Sequence, residues 1–200
     1  YYMKIKIIGD SASNLYNLSG VEYECAPLKI ITDAKEYVDD VQLDLQGMID
    51  DLRTYKGKSG TACPSVGDYM AAFEGYDIVY VVTIISTLSG SYNAAHQAAE
   101  TYMEEHPGRK AFIIDSLSTG PEMQLIVEKI QEWIVDGKSY EMICVEIMAY
   151  LSKTRLMFVL QSIKNLANNG RVSHAVAKLA GVLGIRMIGK ASDQGTLEMT

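Results

Sequence analysis

Apolar and polar positions alternate from Met3 to Ile8, and Ile5, Ile7 and Ile8 are β-branched, which predicts a strand. Asp10 to Ser13 then reads as a short helical or loop stretch. Tyr76 to Ile85 is an almost unbroken run of Ile, Val and Tyr, and Lys110 to Ile114 is a second apolar run. Continuous runs of this length fit strands buried on both faces of a parallel sheet. Helical periods lie around them. Ser65-Val66-Gly67-Asp68 resembles a capping box and opens a helix through Phe73, with Gly75 as its stop. An alanine-rich helix follows Ser91 and ends at His106-Pro107-Gly108. Pro121 stands at the first position of a long helix closed by Gly137, with Met123, Ile126, Val127, Ile130 and Ile134 as its inward stripe. Ser139 caps one more helix, up to Lys153. Nearer the start, Asp44 caps a helix over Leu45–Tyr55, and two short strands flank Asp33-Ala34-Lys35 between Pro27 and Asp40.

The rhythm changes after Lys153. Arg155–Leu160 predicts a strand, Ser162–Asn168 a short helix, and Asn169-Gly170 a break. Ser173 is placed to cap a helix to Leu183, Ile185–Ala191 predicts a strand, Asp193-Gln194-Gly195 a turn, and a last strand starts at Leu197. The alternation of strand and helix gives an α/β class: a parallel-sheet domain over residues 1–153, and the start of a second domain over 154–200. That second unit reads as truncated, because its last hairpin breaks off at Thr200. An apolar face made by Leu156, Phe158 and Leu160 with Ile185, Met187 and Ala191 is then expected to lack cover on one side.

Composition narrows the function. Eighteen basic against 25 acidic residues leave a net charge of -7, which argues against a nucleic-acid partner, since that needs a basic face. The cysteines, Cys25, Cys63 and Cys144, form neither a CxxC pair nor a disulfide framework, so a reducing, cytoplasmic setting is expected. Ile78–Ile85 is too short to span a bilayer, so the protein is not expected to be integral to a membrane. Three scattered histidines add no metal-ligand spacing, and no metal or cofactor is expected.

The candidate chemistry is in hydroxyls at strand-to-helix junctions: Asp10, Ser11 and Ser13; Ser59, Thr61 and Ser65; Ser86, Thr87, Ser89 and Ser91; Ser116, Ser118 and Thr119. A single such serine is most simply a helix cap. Four clusters on one sheet edge would form a rim of neutral donors and free helix N-termini, which suits an oxyanion. A carboxylate fits better than a polyphosphate, because there is no GxxxxGK[ST] loop and Lys58 is the one lysine beside these segments. Two other readings stay open. A serine esterase or acyl hydrolase would use Ser11 or Ser89, with Gly9-Asp10-Ser11 as its opening; but no histidine has an aspartate three residues before it, and no GxSxG elbow occurs. A sensor or interaction module would keep a ligand as a structural plug. Asp39 and Asp40 read as a solvated turn before a metal or acid pair. Met142, Met148, Met157, Met187 and Met199 read as core or as the lining of an adaptable apolar slot. Arg171 sits beside a turn glycine and a cap serine, which fits a solvated loop as well as a site.

Six ordered motifs resemble the DegV family. They are Ile7-Ile8-Gly9-Asp10-Ser11-Ala12-Ser13, Lys35-Glu36-Tyr37-Val38-Asp39-Asp40, Thr61-Ala62-Cys63-Pro64-Ser65, Leu88-Ser89-Gly90-Ser91-Tyr92, Asp115-Ser116-Leu117-Ser118 and Asn169-Gly170-Arg171-Val172-Ser173. The resemblance implies an α/β domain followed by a second domain with a mixed sheet, and a long-chain fatty acid such as palmitate buried between them. It implies that Thr61 and Ser89, with Gly90 and Ala62 beside them, hold the carboxylate, and that Ser11, Ser91, Ser116 and Ser118 form a possible rim. It implies a carrier with no turnover of its own, which presents the lipid to a dihydroxyacetone-kinase-like fatty-acid kinase, with Arg171 at the partner contact. Ala62 and Cys63 stand where the family pattern has Ser and Gln, and the pattern's C-terminal stretch with a headgroup histidine has no counterpart in these 200 residues.

Overall fold

A computed structural model describes residues 3–160, 162, 164–171, 187–192 and 196–199. Four parallel strands form the first sheet: β1 (Ile5–Asp10), β2 (Glu22–Ala26), β6 (Ile78–Thr83) and β7 (Lys110–Asp115), in the order β2-β1-β6-β7. β1 lies between β2 and β6, pairing Ile7 with Tyr23 on one side and with Tyr80 on the other. Every residue of β6 is buried, as its unbroken apolar sequence requires. The strand period of two then divides its side chains between two cores. Ile78, Tyr80 and Val82 join Ile7 and Ile114 under α4 (Pro121–Val135) and α5 (Tyr140–Leu151). Val79 and Val81 join Ile8 under α2 (Val66–Phe73) and α3 (Ser91–Glu105).

The local signals for helices hold. Asp44 caps α1 (Leu45–Thr54), Ser139 caps α5, and Ser65 with Asp68 forms a reciprocal capping box on α2. Pro121 occupies the first turn of α4; Met123, Ile126, Val127 and Ile130 are fully buried, and Ile134 packs against their cluster.

Two strands were not legible. β2 is an edge strand carrying Glu22 and Glu24, so its burial alternates and its sequence reads as polar. β5 (Gly60–Ala62) pairs antiparallel with β3 (Lys29–Ile31), which also pairs with β4 (Glu36–Val38). Thr61 therefore lies on a small antiparallel sheet, not at a strand-to-helix junction of the parallel one.

Beyond α5 come β8 (Met157–Leu160), α6 (Lys164–Asn168), β9 (Met187–Ala191) and β10 (Leu197–Met199). The described strands of this third sheet pair antiparallel, in the order β10-β9-β8. Leu156 and Ala191 are buried, whereas Met157, Val159 and Ile188 are exposed. The open apolar face is thus the opposite one from that expected. Ile185, the helix expected from Ser173 to Leu183, and the turn at 193–195 lie outside the described residues.

Candidate binding site

Parallel neighbours end at the same sheet edge, so β1, β6 and β7 deliver their following loops side by side. Ligands of open α/β sheets lie outside this carboxyl edge. Asp10, the last residue of β1, is fully buried. Its Oδ2 accepts the Ile84 N–H at 2.7 Å and the Ser91 hydroxyl at 2.7 Å, and its Oδ1 accepts the Ala12 N–H at 3.2 Å. The Ser91 oxygen lies 2.7 Å from the buried Tyr69 hydroxyl, so the chain of donation runs Tyr69 to Ser91 to Asp10. Burial pushes the Asp10 carboxyl from 3.8 up to about 6, although its three donors oppose the rise. Asp115 does similar work at the end of β7, accepting the N–H groups of Ser86 at 3.2 Å and Leu117 at 3.0 Å. The Ile84–Ser91 loop is thereby tied to both neighbouring strand ends.

The residues assigned to the rim face inward. Ser11 and Ser91 are fully buried, and Ser116 and Ser118 nearly so. The Ser11 hydroxyl oxygen accepts the Leu28 N–H at 3.0 Å. Ser116 Oγ donates to the Ser118 carbonyl at 3.0 Å and accepts the Ser118 N–H at 3.1 Å. Ser118 Oγ is directed at the Thr119 carbonyl, 3.4 Å away. These hydroxyls shape the loops from inside.

Thr61, Ala62 and Ser89 instead border a cavity of about 420 Å³. Its wall is largely apolar, from Leu28 and Ile30, from Leu43, Leu45 and Met48 around α1, and from Ile84, Leu88 and Leu166. That volume lies within the usual small-molecule range. Its polar groups include Thr61, Ser89 and Arg171. Gly90 lies beside it, where an added Cβ would stand 3.2 Å from the Cys63 Sγ. Ser89 Oγ accepts the Ser91 N–H at 3.3 Å, which leaves the Ser89 proton free to be donated.

Arg171 is positioned by the end of α6. Gly170 takes φ +74, the Arg171 N–H reaches the Leu166 carbonyl at 2.8 Å, and the Gly170 N–H reaches that of Ala167 at 3.0 Å. This is a Schellman closure, and it explains the Asn169-Gly170-Arg171 run, since a β-carbon at Gly170 would be strained. Arg171 leaves that turn to donate from Nε to the Leu88 carbonyl at 3.1 Å and from Nη2 to Thr61 Oγ1 at 2.8 Å. The guanidinium so joins the two loops singled out in the sequence. Its nearness to Thr61 was not legible, because the residues are 110 positions apart.

Other candidates fall elsewhere. Asp39 borders the cavity and accepts the Tyr16 hydroxyl at 2.9 Å, while Asp40 accepts the Gln42 N–H in a turn. Met142, Met148 and Met157 are exposed and stand outside this cavity, Met148 lining a separate one of about 290 Å³ with Leu151 and Leu156, and the side chains of Met187 and Met199 lie outside the described residues. Met48, not singled out, does line the cavity. Among the described residues no group of three or more His, Cys, Asp or Glu could hold a metal ion, and no helix is long and apolar enough to cross a membrane.

Three comparisons place this geometry among known proteins. The profile of a family described as "Uncharacterised protein, DegV family" matches residues 4–200. A DegV domain-containing protein of Streptococcus pneumoniae is 43% identical over 201 residues, which cover 98% of this chain and 72% of the relative. A DegV family protein of Eubacterium eligens, solved loaded with heptadecanoic acid, is 47% identical with a TM-score of 0.94, over 98% of this chain and 71% of that one. The Streptococcus pneumoniae fatty acid kinase B3 protein, solved loaded with linoleic acid, is 42% identical with a TM-score of 0.96, over 99% of this chain and 72% of that one.

Proposed function

The chain belongs to the DegV family, and from that premise we propose that it binds a long-chain fatty acid and presents it, without turnover of its own, to a fatty-acid kinase of the dihydroxyacetone-kinase-like type. The observation that carries the reading is the cavity itself: an apolar wall with Thr61, Ser89 and Arg171 among its few polar groups. An acyl chain needs the wall, and a carboxylate needs the donors. At about 0.8 kcal/mol per buried methylene, a tail of about 16 carbons supplies most of the gross binding energy. Two hydroxyls and a guanidinium then fix the headgroup, Ala62 and Gly90 flanking them on the same two segments. Leu166 and Arg171 close the cavity from beyond residue 153, as expected of a tail held between two domains.

Arg171 reads better as part of the headgroup site than as a pure partner contact, because it bonds to Thr61 and is only half exposed. Arg171→Ala should then weaken lipid binding as well as phosphorylation of the bound acid. Loss of phosphorylation alone would return it to the partner surface. The hydrolase reading has less support. Ser11 is buried, and His96 and His106 lie against Glu100 and Glu74.

The test is mass spectrometry of lipid extracted from the purified protein, with binding measured on two variants. A fatty acid near unit stoichiometry is expected. Thr61→Val and Ser89→Ala should each weaken binding by about 1.5–3 kcal/mol, one hydrogen bond to a charged acceptor. Folded variants that both keep full affinity would remove these residues from the site. Empty protein that turns over p-nitrophenyl esters, and stops when Ser89 is replaced by Ala, would favour the hydrolase.

A further inference from the structure

We propose that Asp10 is a positioning residue for the headgroup site, a role that rests on the fatty-acid reading: its carboxylate, tied to both ends of the Ile84–Ser91 loop, sets where Ser89 and the Leu88 carbonyl stand. The carboxylate receives three donors from three places: the turn after β1, the start of the loop and the first residue of α3. A carboxylate accepts on both oxygens, whereas an amide would turn an N–H toward one of these donors. Ser91 spends its proton on Asp10, takes one from Tyr69, and gives its backbone N–H to Ser89 Oγ. The order of control is therefore Asp10, then Ser91, then Ser89. Leu88, one residue earlier, offers its carbonyl to Arg171. A single buried carboxylate thus stands behind two of the three polar supports of the headgroup, Ser89 and Arg171.

A buried charge is costly to keep, which suits a group retained for position rather than stability. The groups that face it are Asp39, whose charge pushes the Asp10 carboxyl further up, Tyr23 and Cys25 of β2, and Tyr69 of α2. Burial pushes the Cys25 thiol up to about 12 and both tyrosines above their ordinary range, so these three stay neutral where Asp10 titrates. Acidification through about pH 6 therefore discharges Asp10 and weakens the charge-assisted bonds by which its Oδ2 holds Ile84 and Ser91, the two ends of the loop.

The experiment titrates a fluorescent fatty acid into the wild type, Asp10→Asn, Ser91→Ala and Ser91→Thr at pH 7.5 and 5.5. It also follows amide exchange of the ligand-free proteins over residues 84–91. Asp10→Asn and Ser91→Ala should raise Kd at least fivefold at pH 7.5 and speed exchange over 84–91, with Asp10→Asn also speeding it at the Ala12 turn and exchange elsewhere unchanged. Ser91→Thr, which keeps the hydroxyl, should restore both. The wild type should lose affinity on acidification beyond the loss seen in Asp10→Asn, which carries the same ligand titration. Should Asp10→Asn fail to fold, Ser91→Ala decides by the same readouts. Unchanged exchange over 84–91 in the folded variants would overturn the proposal. A wild type that binds no fatty acid, with exchange still faster in the variants, would sink the fatty-acid reading and leave the grip of Asp10 on the loop standing.

Discussion

The two walls of the cavity are built on opposite terms. At the edge of the parallel sheet the groups that support the Ile84–Ser91 loop from behind, Asp10 and Ser91, are buried and bonded to each other inside the protein. On the small β4-β3-β5 sheet the polar groups are exposed: Lys35 bonds Asp51 at 2.5 Å, Tyr37 bonds the same carboxylate at 2.9 Å, and Tyr55 bonds Asp33 at 2.6 Å. The carboxylates report the contrast. Burial lifts Asp10, whereas the hydrogen bond from Lys35 lowers Asp51. One wall is preorganised and hard to move, and the other is held by bonds that water and salt weaken. A cavity of this kind can keep one headgroup geometry and still adjust its wall to the tail.

The largest break in that contrast comes from the core beneath the rigid wall. Phe73 is fully buried between Tyr69 and Tyr102. Phe73→Ala should cost about 3–5 kcal/mol in denaturant unfolding. A loss below 1 kcal/mol would mean that this core does not hold the wall. The next effect is a pH dependence. With the Asp10 carboxyl raised from 3.8 to about 6, the folded state binds the extra proton between these values. Stability contributed by this group is therefore greatest below about pH 4 and declines as pH rises to about 6, by roughly 3 kcal/mol. Asp10→Asn should remove that slope and lose little stability at neutral pH, while still loosening the loop. A variant that melts far earlier at pH 7.5 would make Asp10 a stabiliser instead. A smaller effect joins the walls where they touch. Gly90→Ala would press a methyl on Cys63 and should cost about 1 kcal/mol of affinity, and adding Cys63→Ala should recover it. No recovery would place the strain in the backbone. Least of all, Asp51→Asn should leave the melting temperature unchanged within error at physiological salt, since the pair is exposed.

What was legible in the sequence follows the same division. Helix starts at Asp44, Ser65, Pro121 and Ser139 are local signals, written within one turn of the residues they serve. The apolar runs of β6 and β7 needed no partner to be read. β5 did: Gly60-Thr61-Ala62 has no strand pattern of its own and is extended because β3 pairs with it. The motifs found Thr61, Ser89 and Arg171, but not that the guanidinium rests on the threonine. They also named Ser11, Ser91, Ser116 and Ser118 without showing that these hydroxyls turn inward, because a cap and a ligand donor use the same residue type. Asp10 passed as one polar residue among serines. Its elevated proton affinity comes from burial, which the fold imposes against the opposing pull of donors 74 and 81 positions away.

The Thr61–Arg171 bond also sets a schedule. The two residues lie 110 positions apart, so the cavity cannot close until the ribosome has passed both. At roughly 5–20 residues per second, the interval is about 5–20 s. Through it, Leu28, Ile30 and Leu88 have no Leu166 opposite them, and a nascent chain offers an open apolar trough where a finished one has a cavity. Capture of cargo is therefore a late event in the life of each molecule. Cargo, once captured, stabilises only chains that have finished folding, by an amount that grows with its free concentration.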